Sequence, residues 1–209
     1  MGSVSRFSQA ISEGDGISVI PLLEGDVGAL AALAEEAGAE AVAVWSLDDV
    51  APVRSQCSLP VLVREPKLVL DEELPLLSSG DADACVLAYE RFGGEEDLLE
   101  RLYESLSGES ADCVVDVRDE EQLEEVLDRV DPEVILISER GAEDSDDLER
   151  TLDLLPDVPA GKLVISEAGI VAREQVVALE RAGVDAILVG AGFLREPDFA
   201  GALAELTGR

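Results

Sequence analysis

The residues best suited to chemistry are a few carboxylates, arginines and glycines at the ends of short apolar runs. Glu167 in LVISEAGI is the strongest acid or base, because a carboxylate held at the mouth of a cleft can be desolvated and tuned toward neutral pH. Asp116 in CVVDVRDEE is a second carboxylate of the same kind, although an Asp at the end of a strand serves equally as the cap of the next helix. Arg64, Arg118 and Arg140 can grip a carboxylate or phosphate with paired N–H donors, and each can also be a counterion in an acidic surface. Gly169 in SEAGI and Gly190, Ala191 and Gly192 in VGAGFL form a candidate phosphate cradle. Backbone N–H groups approach an anion closely where side chains are missing or small. The same glycines would also suit plain tight turns.

What is absent narrows the chemistry further. The chain has no histidine, which removes imidazole bases, Ser-His-Asp triads and His-containing zinc sites. Three cysteines, Cys57, Cys85 and Cys113, show no CxxC spacing, and two of them sit within apolar runs, so they read as reduced thiols and neither as a metal site nor as a disulfide. No metal and no cofactor is therefore expected. Lys and Arg number 15 against 47 Asp and Glu, for a net charge of -32. Nucleic acid and anionic membrane surfaces are excluded as partners, since both are bound through basic patches. A phosphorylated small molecule would be repelled at long range and held only by local amides and arginines. No apolar run nears the ~20 residues of a membrane span, and the first residues lack a signal-peptide layout, so the expected location is the cytoplasm.

These groups need a scaffold that gathers strand ends on one rim. Short β-branched runs alternate with amphipathic stretches eight times, the pattern of parallel βα units. Predicted strands are Ile17–Leu23, Ala41–Trp45, Val61–Arg64, Ala84–Ala88, Cys113–Val117, Val134–Ser138, Leu163–Ser166 and Ala186–Val189. Predicted helices are Val27–Ala37, Leu47–Gln56, Asp71–Ser79, Glu95–Ser107, Glu120–Val130, Asp147–Leu154, Arg173–Ala182 and Phe199–Leu206. Gly38 and Gly183 stand where helices should close through a left-handed residue. An open doubly wound sheet is the competing architecture, but PLLEGDVG after the first strand carries neither GxGxxG nor a Walker loop. The reading is one α/β domain over residues 1–209, a (β/α)8 TIM barrel with its site on the loops after the strands.

The stretches SLPVLVREP, CVVDVRDEEQLEEVL, VILISER, LVISEAGI and AGVDAILVGAGFLR, in this order from Arg6 onward, resemble the indole-3-glycerol-phosphate synthase family. That resemblance implies a barrel enzyme of tryptophan biosynthesis, a carboxy-lyase that closes the indole ring of a carboxyphenylamino-deoxyribulose phosphate. It also implies losses. The family's Glu-x-Lys on the first strand aligns with Val19-Ile20-Pro21, and its general-acid lysine after the third strand aligns with Arg64, which joins Glu167 and Asp116 in the implied catalytic set. The fifth-strand glutamate aligns with Asp116, and Asn-Asn-Arg aligns with Ser138, Glu139 and Arg140, of which Ser138 and Arg140 are assigned to substrate binding. Glu167, Arg140 and the glycines persist. Residues 1–15 stand for a shortened form of the N-terminal extension that covers the family's site. The implied function is a phosphosugar-binding barrel with weak or lost synthase activity. The alternative is a non-catalytic ligand-sensing or partner-binding barrel, whose protein partner the sequence does not name.

Overall fold

The computed structural model describes residues 7–14, 16–71, 74–92, 97–107, 111–139, 148–190 and 198–208. Eight parallel strands close into a barrel: β1 (Ser18–Leu23), β2 (Val42–Val44), β3 (Val61–Val63), β6 (Ala84–Ala88), β7 (Asp112–Val117), β8 (Val134–Ser138), β9 (Leu163–Glu167) and β10 (Ala186–Val189). The ring runs β1-β10-β9-β8-β7-β6-β3-β2 and is closed by β1 on β10, with Ser18 opposite Ala186 and Pro21 opposite Val189. This is the (β/α)8 TIM barrel expected from the alternating pattern.

Alternation along each strand sorts side chains into two layers. Ile20, Leu22, Leu62, Val86, Val114, Leu136, Ile165 and Leu188 pack together inside the barrel. Val19, Val44, Val63, Leu87, Val115, Ile137 and Val189 face the surrounding helices. Those helices include α2 (Val27–Glu36), α3 (Val50–Arg54), α5 (Leu98–Ser107), α6 (Glu120–Arg129), α7 (Glu149–Leu154), α8 (Arg173–Ala182) and α9 (Phe199–Thr207). Gly38 and Gly183 adopt φ of 87° and 103°, the left-handed values that end α2 and α8. Cys85 and Cys113 lie opposite each other on β6 and β7 as buried free thiols, and burial pushes the Cys113 thiol far up from its ordinary value.

The third βα unit departs from expectation. The helix predicted over Asp71–Ser79 is not formed; Lys67–Asp71 (β4) and Leu74–Ser78 (β5) pair as an antiparallel ribbon, with Leu70 opposite Pro75. Proline within the run removes a helical N–H and clashes with the preceding turn, whereas the edge of a two-stranded ribbon tolerates it. The helix predicted from Leu47 is shorter than expected, a 3-10 turn (Leu47–Asp49) followed by α3.

The first described helix, α1 (Phe7–Ser12), lies at the end of the barrel opposite the mouth. Phe7 and Ile11 enter the inner cluster beside Ala41, Ala84 and Ala186, the small residues at the strand starts. The Ser8 amide donates to Asp112 Oδ2 at 2.7 Å, and Ser18 Oγ donates to the Ile11 carbonyl at 3.2 Å. This segment therefore seals the bottom and does not cover the site.

The helix after β7 is capped by Asp119, whose Oδ1 accepts from the Gln122 amide at 2.9 Å. Asp116 is thus not the cap. Asp119→Ala should cost about 1 kcal/mol and Asp119→Asn much less, read from denaturant midpoints at constant slope.

Candidate active site at the barrel mouth

The inward positions at the C-terminal ends of the strands form a polar layer over the apolar core. Arg64 follows β3, anchored by its amide donating to the Val44 carbonyl at 2.8 Å. In the strand order β3 and β9 are diametrically opposed, with β6, β7 and β8 between them on one side. The Arg64 side chain crosses that span. Its Nη2 donates to Asp116 Oδ2 at 2.7 Å and to Glu167 Oε2 at 2.8 Å, and its Nε donates to the same Glu167 oxygen at 3.2 Å. The side chains of Arg64, Asp116 and Glu167 are 2%, 2% and 9% exposed, so this ion triad is buried. Burial pulls the Arg64 pKa down, but the adjacent charges of Glu167 and then Asp116 outweigh it and leave the guanidinium above its ordinary value. Arg64 is a fixed cation here.

Ser138 ends β8, between Asp116 and Glu167 in the strand order, and is fully buried. Its Oγ has no hydrogen-bond partner among the described residues, while its carbonyl accepts from Arg150 Nη1 at 2.9 Å. Ser166, the residue before Glu167, faces the helices, with its hydroxyl 2.8 Å from that of Thr151. On the other side of the ring Trp45 Nε1 donates to Glu24 Oε1 at 2.7 Å. Val19 faces the helix layer, as Pro21 must by alternation, and the inward positions are Ile20, Leu22 and, beyond the strand, Glu24. Counting parity along SVIPLLEG would have found Glu24.

The glycine cradle is only partly in view. Gly169 follows β9 and Gly190 follows β10, on neighbouring strands, and a Cβ added at Gly190 would meet nothing within 4 Å among the described residues. In the loop between Gly169 and α8, Gln175 Oε1 already accepts from the Val171 and Ala172 amides at 2.8 and 3.0 Å. Ala191, Gly192 and Arg140 lie outside the described residues.

A cavity of about 330 Å³ opens beside the triad, at the ends of β3, β6 and β7. Its walls include Arg64, Asp116 and Arg118 together with Arg91 and Phe92 of the one-turn helix α4 (Tyr89–Phe92). Arg118 is ion-paired with Glu90. The described residues contain no group of three or more His, Cys, Asp or Glu able to hold a metal ion, and no helix among them is long and apolar enough to cross a membrane.

Comparison with known proteins puts this geometry in context. Residues 24–206 match the family model described as indole-3-glycerol phosphate synthase. The synthase of Geobacillus sp. (strain WCH70) is 29% identical over 190 residues, which cover 85% of this chain and 71% of that protein. The synthase of Verminephrobacter eiseniae (strain EF01-2) is 33% identical over 194 residues, covering 88% and 68%. Among solved structures, the N-acetylmannosamine-6-phosphate 2-epimerase of Clostridium perfringens superposes with a TM-score of 0.70 at 16% identity, covering 100% of this chain and 95% of that one. The (S)-3-O-geranylgeranylglyceryl phosphate synthase of Thermoplasma acidophilum, in complex with its substrate sn-glycerol-1-phosphate, gives 0.64 at 15%, covering 97% of each. At such identities the solved structures speak for the barrel alone.

Proposed function

This chain belongs to the indole-3-glycerol phosphate synthase family, and we propose that it is a member that binds a phosphorylated sugar-like ligand at its mouth while its ring-closing activity is weak or lost. The observation that carries the reading is the Arg64 triad. Where the family resemblance calls for a lysine able to release a proton, this chain has a buried guanidinium bound to both candidate carboxylates. Asp116 and Glu167 each give an oxygen to that cation, so the groups meant for acid–base work hold one another in place. If turnover remains, Glu167 is the residue to carry it as a base, with Asp116 second.

Ligand binding rests on different residues. Gly169, Gly190, Ala191 and Gly192 supply amides for a phosphate, and Ser138 and Arg140 supply polar contacts to the sugar-like body. Because a Cβ at Gly190 meets nothing within 4 Å among the described residues, Gly190→Leu should fold and still block the close approach of a phosphate. We expect its melting temperature to match the parent while the upward shift caused by a ribulose-phosphate-like ligand disappears. An undiminished shift would move the phosphate elsewhere.

The decisive experiment supplies the family's carboxyphenylamino-deoxyribulose phosphate substrate and follows indoleglycerol phosphate by fluorescence, at low and high salt. Binding without product supports a ligand-sensing or partner-binding barrel. Product at an ordinary enzymatic rate overturns the loss of activity.

A further inference from the structure

The outer helices share the negative charge of the chain unequally. α6 carries Glu120, Glu121, Glu124, Glu125 and Asp128 against one base, Arg129. Spacings of three and four residues make five like-charged neighbours of these acids: Glu120 with Glu124, Glu121 with Glu124, Glu121 with Glu125, Glu124 with Asp128 and Glu125 with Asp128. Asp128 also stands at the negative end of the helix dipole. The cations nearby are committed elsewhere. Arg129 is held by both oxygens of Glu100 on α5, at 2.7 and 2.9 Å, and lies 3.6 Å from Glu125. Arg118 pairs with Glu90, and Lys162 pairs with Asp131 beyond the helix end. Tyr89 gives its hydroxyl to Glu125. Among the described residues no ion pair reaches Glu120, Glu121, Glu124 or Asp128, and all four are exposed. Against this repulsion α6 buries Leu123 and Val126. α8 has the same length and buries a similar pair, Val176 and Leu179, but its acids Glu174 and Glu180 are balanced by Arg173 and Arg181.

We infer that α6 is a salt-dependent latch: monovalent salt, by screening its carboxylates, holds this helix on the barrel, and at low ionic strength it opens locally before α8 does. The helix is tied to the loop after β7 through its first turn, where Gln122 Oε1 accepts from the Arg118 amide at 3.0 Å and Asp119 is the cap. Opening α6 therefore frees that loop as well. Side chains one helical turn apart are about 6 Å from each other, within the screening length of ~10 Å at 0.1 M salt and beyond the ~3 Å at 1 M. The latch accordingly closes between those two concentrations. A general effect of salt on apolar burial would act on α8 as it does on α6.

The test is hydrogen–deuterium exchange of the intact chain, read peptide by peptide at about 0.1, 1 and 3 M KCl, with no ligand and no turnover, so its outcome is independent of the proposed function. Each like-charged pair shifts a helix equilibrium about 1.4- to 2.3-fold, so five together amount to about tenfold. The amides of α6 should exchange about tenfold more slowly at 1 M than at 0.1 M and gain little more at 3 M, while those of α8 change less than about twofold. NaCl should act as KCl does. Glu124→Gln combined with Asp128→Asn removes four of the five pairs and leaves the cap and both buried side chains in place. That variant should show at low salt the protection that the parent reaches at 1 M, and should lose most of its salt response. The inference is overturned if α6 and α8 respond alike, including by unfolding together, if α6 of the parent is indifferent to salt, or if the doubly substituted chain keeps the full response of the parent.

Discussion

At saturating synthase substrate, turnover is expected to fall several orders of magnitude below the roughly 10 s⁻¹ of a median enzyme. Ring closure with loss of carbon dioxide and water needs a group that releases a proton near neutral pH. A guanidinium stays protonated above about pH 12, and Arg64 is driven higher still by Glu167 and Asp116. The second lysine that the family resemblance places on the first strand aligns with Pro21, so its ammonium is absent as well. Each general acid or base typically contributes about 10² to 10⁴-fold, so two absences compound to several orders of magnitude. Arg64→Lys restores a titratable ammonium at one position and should raise the residual rate measurably. A parent rate near 10 s⁻¹ would refute the account, as would an Arg64→Lys variant that folds and gains nothing.

The second large effect concerns stability. Arg64→Leu should destabilise the fold by about 3 to 5 kcal/mol, because it leaves two buried carboxylates without their shared cation. The three side chains are at most 9% exposed, so solvent screening does little to soften the loss. Against a typical total of about 5 to 15 kcal/mol, that is a large fraction. Denaturant midpoints for Arg64→Leu, Asp116→Asn and the double variant measure the coupling directly. A loss below about 1 kcal/mol for Arg64→Leu would mean that the triad is not a structural unit.

Much of the barrel was legible because β-branched runs and glycine stops are local signals. CVVDV and VILIS cannot bury both faces except as strands between packed helices. The stretch KLVLDEELPLLS was not legible as a ribbon, since leucines spaced for a helix hid the information in Pro75. Arg64, Asp116 and Glu167 could each be picked out by type and place. Their union could not, because it joins residues 52 and 103 positions apart across the diameter of a ring that exists only once β1 meets β10. Glu24 escaped notice for a simpler reason, because it stands just beyond the end of β1 and its partner Trp45 lies 21 positions on.

That closing pair also sets the order of events during synthesis. The partner of Ser18 is Ala186, so β1 waits with an open edge until β10 has been made, and the growing sheet carries a second open edge at whichever strand emerged last. Unpaired edges are templates for wrong pairing between chains, and contacts so distant in sequence form slowly. The 47 acidic side chains emerge in step with those edges, so neighbouring nascent chains repel one another while the ring is still unclosed.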